Sequence, residues 1–450
     1  LEALQAYARA LDQGRINPRL ETIPHLKRAI ELDPNFALAQ AQLSGAYANT
    51  GQPALAPEWS RKAFALRDRV SERERYFISW RYYRDATQAW DSGLELARSW
   101  TAAYPREPFA FNSLGFAAWA LGQYQHAIVP LRESIRLDPK FISPTSNLVA
   151  TLTALNQFDQ AKTVLASARN AGIEHIAIRQ EAYLLAFIEN DTASMTREMD
   201  AALATPEGPW ASNWQPRISA FGGHLAKAHE QFRGSVAAVS QAHLTELSGL
   251  YSAQDAISHA VVGQCEAAQR EAVAAIRLSR DNVTLEAAGR ALAWCGSNGD
   301  ASKLSDELTQ RFPEAILTTR LIVPVIAAAM AIRSGTPARG LELLEPVRPL
   351  EHSLVAEFWP AYLRGEAQRL LKHGAEAAVE FRSIIDRRGE MPDSPLYPLA
   401  QFGLARALAL GNDRTGARAA YLEFFTFWKD ADPDLLPLQE ARREFARLPH

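Results

Sequence analysis

Residues 109–141 read FAFNSLGFAAWALGQYQHAIVPLRESIRLDPKF, and their pattern decides the fold. Two apolar-periodic runs of about a dozen residues are divided by Gly122-Gln123 and closed by Asp138-Pro139, the pattern of a short antiparallel helix pair. Small side chains stand where two helices must approach most closely: Gly115 and Ala118 in the first run, Ala127 and Ser134 in the second. Such a hairpin has apolar faces that only neighbouring copies can cover, so copies are expected on both sides of it.

The copies are there. Upstream, residues 23–34 give a second helix whose partner is expected at 3–13 across a long loop at 14–18, and a full copy from Asn35 carries Leu43-Ser44, Tyr47, Gly51, Ala56 and Ala63. Residues 72–105 form an aromatic-rich unit with Trp80, Tyr82 and Trp100, and 142–175 repeat the pattern over thirty-four residues. Further units are read at 176–205, 251–280, 285–313, 321–347, 361–388 and 399–429, with another leading from Trp214 through Gly222-Gly223. About twelve hairpins result, closed by an amphipathic capping helix at 435–448.

In the central unit Leu114-Gly115, Ala127, Leu131, Pro139 and Phe111 occupy the marked positions of the tetratricopeptide repeat, which the chain resembles, with Ala118 and Ser134 as departures. The resemblance implies an all-α, right-handed solenoid in which the first helix of each hairpin lines the concave face. Gly115, Ala127, Leu131, Pro139, Gly365, Ala377 and Ala417 are the expected structural positions. Residues 1–205 are read as an N-terminal array, 206–216 (two tryptophans, Pro and Gly among them) as a loop or hinge, and 217–450 as a C-terminal array with its cap; one continuous solenoid is the alternative. From Tyr362 to Phe445 the sequence resembles the tail of large bacterial repeat proteins that carry an N-terminal serine/threonine kinase or winged-helix domain. The chain opens inside an amphipathic helix without a methionine, so such a domain is expected upstream.

Composition narrows function. Lys+Arg total 48 against Asp+Glu 51, so no basic field for nucleic acid is expected, and the longest apolar run, 321–332, is too short to span a bilayer. No nucleotide-binding glycine loop, HExxH or GxSxG occurs, and the ten histidines show no metal-ligand spacing; His224 and His229, five apart, do not share a helix face well. No metal or cofactor is expected. Asp33, Asp138, Asp191 and Asp413 are read as caps or turns, and Asp430, Asp432 and Asp434 as a turn. Cys265 and Cys295 lie in neighbouring units; a bridge is open to them, and two buried thiols are the expectation.

The surplus aromatics suggest a binding surface. By the resemblance, the inward positions are Tyr82, Phe109, Asn112, Phe116 and Trp119, then Trp210, Asn213 and Arg217, then Trp359, Tyr362, Glu366 and Arg369. Rings interleaved with amide and guanidinium groups suit a groove for a peptide, a protein segment or a small effector. The lysine and asparagine clamp by which some family members hold a carboxylate is not repeated, since Ser146 and Ala150 stand where it would continue from Asn112. The expected function is a non-catalytic interaction or sensing module; a scaffold acting by self-association and an enzyme built on the solenoid are the alternatives.

Overall fold

The computed structural model describes residues 1–16, 22–353 and 355–448. Helices pair in sequence order: α1 (Glu2–Ile16) with α2 (Thr22–Leu32), α3 (Ala37–Asn49) with α4 (Ala56–Ala65), α5 (Glu72–Arg81) with α6 (Trp90–Ala103) and α7 (Pro108–Ala120) with α8 (Tyr124–Leu137). Next come α9 (Ile142–Ala154) with α10 (Phe158–Asn170) and α11 (Ile176–Ile188) with α12 (Thr192–Leu203). A single turn, α13 (Gly208–Ala211), precedes α14 (Trp214–Phe221) and its partner α15 (Leu225–Gln241). Then follow α16 (Thr245–Val261) with α17 (Cys265–Leu278), α18 (Asn282–Trp294) with α19 (Asn298–Arg311) and α20 (Val323–Arg333) with α21 (Pro337–Leu344). Last are α22 (Trp359–Leu370) with α23 (Gly374–Ile385), α24 (Leu396–Leu410) with α25 (Arg414–Phe427), and α26 (Leu436–Arg447). Twelve hairpins and a terminal helix, with no strand among the described residues, make an all-α solenoid of tetratricopeptide-like hairpins.

Close approach inside each hairpin explains the small residues. A Cβ on Gly115 would lie 2.5 Å from Leu131 Cγ, and Ala127 and Leu131 are fully buried against it. Phe381 of α23 uses the same device twice, its ring resting against both Gly365 and Gly403. Turns are fixed by local chemistry. Asp191 and Asp413 accept from the backbone N–H groups of Ser194 and Gly416, while Asp33 and Asp138 accept from Asn35 and Lys140 two residues on.

Two expectations change. Helix α1 continues to Ile16, past the start of the expected loop, and the rest of that loop lies outside the described residues. Cys265 and Cys295 are joined in a disulfide with Cα atoms 5.3 Å apart. Helices α17 and α18 are antiparallel neighbours, so the first residue of one meets the residue that ends the other.

Beyond neighbour stacking, the within-hairpin turns of the N-terminal half meet the between-hairpin loops of the C-terminal half. Ala54 N–H donates to Glu246, Tyr124 Oη to His352 O, and Asn156 Nδ2 to Asp386 O, while Gly389 N–H donates to Asn156 Oδ1. Farther along, Trp428 Nε1 donates to Phe221 O, Asp432 N–H to Gly223 O, and Ala226 N–H to the Asp432 carboxylate. These partners lie 192 to 233 residues apart in sequence, five or six hairpins. The main apolar core among the described residues runs from Trp80 to Ala441, with smaller clusters in the first two hairpins and between Ile176 and Tyr251.

Glu286 on α18 is 4% exposed and accepts from Thr318 Oγ1; burial holds its carboxyl up at about 7, against the pull of Thr318 and Arg290. Native Glu286 therefore keeps a proton that the unfolded chain loses in the ordinary carboxylate range, so its contribution is present at low pH and lost as pH rises through about 7. Urea unfolding of Glu286→Gln across pH 4 to 8 should show the variant gaining on the wild type with rising pH, by up to about 3 kcal/mol. Gly115→Ala should lower stability by about 1–3 kcal/mol, since overpacking against Leu131 outweighs the better helix propensity.

Candidate functional site

Two basins bordered largely by first helices of the hairpins are present, with a small cavity between them. The N-terminal basin, about 660 Å³, is floored by α3, α5, α7 and α9. Phe109 and Phe116 line it, each half-buried: Phe109 against Phe77, Trp100 and Phe141, and Phe116 among Trp80, Trp90 and Trp119. Between the rings Asn147 Nδ2 donates to Asn112 Oδ1 at 3.0 Å, linking successive first helices. Arg84 lies over the Phe116 ring at 5.1 Å, and Lys140 stands at the rim.

Arg81 supports this floor. Its guanidinium pairs with Asp85 at 3.1 Å in a site where both are at most 4% exposed, and Ser44 Oγ donates to the same carboxylate at 2.8 Å. Burial pulls the Arg81 pKa down to about 10 in spite of Asp85. Only a glycine at position 45 leaves room for that guanidinium, since any Cβ there would overlap it. Sequence reading missed Arg81, Arg84 and Asn147. The usable signal was Asn147 standing 35 residues after Asn112.

The C-terminal basin, about 700 Å³, brings Tyr362, Glu366 and Arg369 together with Trp294, Arg333 and Phe402. Arg369 pairs with Glu366 at 2.7 Å. Arg406 rests 3.9 Å over the Phe402 ring and pairs at 2.6 Å with both Glu440 and Glu444 of α26, and Tyr421 Oη donates to Glu444 at 2.7 Å. Burial works to raise the Glu444 carboxyl, yet Arg406 and Tyr421 hold it below its ordinary range. Cations outnumber carboxylates here, Arg333, Arg369, Lys372, Arg406 and Arg447 against Glu366, Glu440 and Glu444, and the capping helix closes one wall of the basin through Arg406.

Between the basins Trp119 faces a cavity of only about 160 Å³, covered by Ser353, Glu357 and Phe358 and by residues 389–392. The other positions expected in a groove are engaged in contacts within the coil: Arg217 with the distant Asp393, the rest with nearby hairpins. Trp359 is 1% exposed beneath Arg290 and against Trp294. Arg217 makes a two-pronged pair with Asp393, at 2.6 and 2.8 Å. Burial alone would lower the Arg217 pKa, but Asp393 raises it. Asn213 Nδ2 donates to Gln254 at 2.7 Å, the Trp210 carbonyl accepts from Tyr251 Oη, and Tyr82 stacks on Phe64 at 4.0 Å.

Away from both basins, His229, Asp255 and His259 bring ligand-capable atoms within 4.8 Å of one another. Sequence reading weighed His229 only against His224 and set that pair aside; Asp255 and His259, one turn apart on α16, were the available signal. No helix among the described residues is long and apolar enough to cross a membrane.

No family model and no curated protein sequence matches the chain. Among solved structures, yeast Tom70 is similar at 12% identity and a TM-score of 0.37, over 99% of this chain and 96% of that one. The P58(IPK) TPR domain is similar at 14% identity and a TM-score of 0.26, over 84% of this chain and 98% of that one. Similarity that distant carries no functional argument, and the geometry above stands on its own.

The Arg217–Asp393 pair that closes the middle can be weighed directly. Arg217→Ala, which strands a buried carboxylate, should cost about 3–5 kcal/mol in urea unfolding, whereas Arg217→Met/Asp393→Leu together should cost much less.

Proposed function

We propose that the chain is a non-catalytic interaction module that holds an extended protein segment in the N-terminal basin. The observation that carries this reading is the Asn112–Asn147 pair set between the half-buried rings of Phe109 and Phe116. Amides on successive first helices suit the polar backbone of an extended segment, and the rings give its side chains apolar area at small entropic cost. Arg84 and Lys140 at the rim favour a segment that also carries carboxylates.

The module acts as one body, with residues 206–216 a connection inside it. The main apolar core, which spans most of the hairpins, and the polar contacts between N-terminal turns and C-terminal loops support that reading. In a longer bacterial protein it would serve as the regulatory, partner-sensing part beside a kinase or winged-helix domain. The C-terminal basin, lined by Tyr362, Glu366 and Arg369 and walled by α26, is the place for a small charged effector.

Peptide display against the immobilised chain, followed by fluorescence anisotropy on the selected sequences, tests the basin. Phe116→Ala and Asn112→Ala should each weaken binding about tenfold or more, and Tyr362→Ala should not. Selected peptides that bind the Phe116→Ala/Asn112→Ala variant as well as the wild type would contradict the assignment. So would a stable dimer whose interface buries Phe109 and Phe116, which would make this face a self-association surface.

A further inference from the structure

At the joint between the seventh and eighth hairpins, His229 of α15 faces Asp255 and His259 of α16. Asp255 is 1% and His259 7% exposed, while the side chain of His229 is 35% exposed and opens toward solvent. His229 Nδ1 lies 2.6 Å from Asp255 Oδ2. On the other side His259 Nδ1 is 2.7 Å from Gln264 Oε1, which accepts its proton and leaves Nε2 with a free lone pair. That lone pair faces Asp255 Oδ1 across 3.5 Å, and Oδ1 is buried without a hydrogen-bond partner.

Two acceptors pointed at each other in a buried site repel unless something positive lies between them. The separation is long for a good hydrogen bond. It matches two ligands of one tetrahedral ion, which at bond lengths of about 2.0–2.1 Å stand about 3.4 Å apart. We propose that His229, Asp255 and His259 form a site for a zinc-like divalent metal ion that clips α15 to α16. Gln264 supplies the outer hydrogen bond that metal-bound imidazoles ordinarily carry, fixing the tautomer and aim of His259. His229, the exposed ring, shifts outward from Asp255 to admit the ion, and the remaining coordination position faces solvent. Two imidazoles and one carboxylate select zinc, cobalt or nickel over calcium and magnesium, which require oxygen ligands. Glu271 on α17 adds negative potential to the site, which favours a cation there.

The test uses the chain without an affinity tag, stripped with chelator and titrated with ZnCl₂ by calorimetry and with CoCl₂ by visible absorption. One zinc per chain is expected, with a cobalt spectrum of four-coordinate nitrogen and oxygen ligation, displaced by zinc and not by magnesium. His259→Gln, Asp255→Asn and His229→Ala should each weaken zinc binding by at least about tenfold, and His243→Ala should leave it unchanged. Circular dichroism of the metal-free variants checks folding. If Asp255→Asn unfolds, the half-exposed His229→Ala decides. A wild-type chain that takes up no zinc at micromolar concentration, folded His229→Ala and His259→Gln chains that bind zinc as well as the wild type, or equal competition by magnesium would overturn the site.

Discussion

The contact between a missing side chain and a large one is what the rest of the structure depends on. Gly115 lets Leu131 reach the backbone of α7, and Gly365 and Gly403 do the same for Phe381 between two successive first helices. Because protein interiors are packed as densely as molecular crystals, these contacts fix not only each hairpin but the step from one hairpin to the next. Repeating that step carries the chain around until its turns meet its own later loops.

Where they meet, the bonds are mostly polar and use the backbone: Asn156 with Asp386 and Gly389, Asp432 with Gly223 and Ala226, Trp428 with Phe221. Arg388 adds a cation over four rings, those of Phe187, Phe221, Tyr397 and Phe427. Apolar patches alone would hold the coils together without fixing their register, whereas directional bonds choose it. The same contacts decide what remains for binding, since they cover Trp119 and leave Phe109 and Phe116 half-exposed at one end, with Asn112 buried between them.

The hairpins were legible because their signal is local. Gly122, Asp138-Pro139 and the small-residue positions act within a single unit, and 3.6-residue periodicity reports burial directly. What could not be read is set by pairs about two hundred residues apart. Nothing near Arg217 announces Asp393, and the inward register that selects Phe109 selects Trp359 equally well; only the coil-to-coil closure separates a lining residue from a buried one. The disulfide fell between these cases. The unit spacing of Cys265 and Cys295 allowed it, but the antiparallel placement of α17 and α18 made it. His229 joins Asp255 and His259 for a similar reason, across the joint of adjacent hairpins.

Closure of the coil is the central claim, and Gly389 reports on it most directly. Its N–H donates to Asn156 Oδ1 at 2.9 Å, and its Cα sits so close to the Thr153 carbonyl that any added Cβ would overlap it. Residue-resolved hydrogen exchange should find the Gly389 amide protected in the wild type and exposed in Asn156→Ala, with the helices on either side unchanged. An amide at 389 that exchanges as fast as an open loop in the wild-type chain would contradict the closed coil.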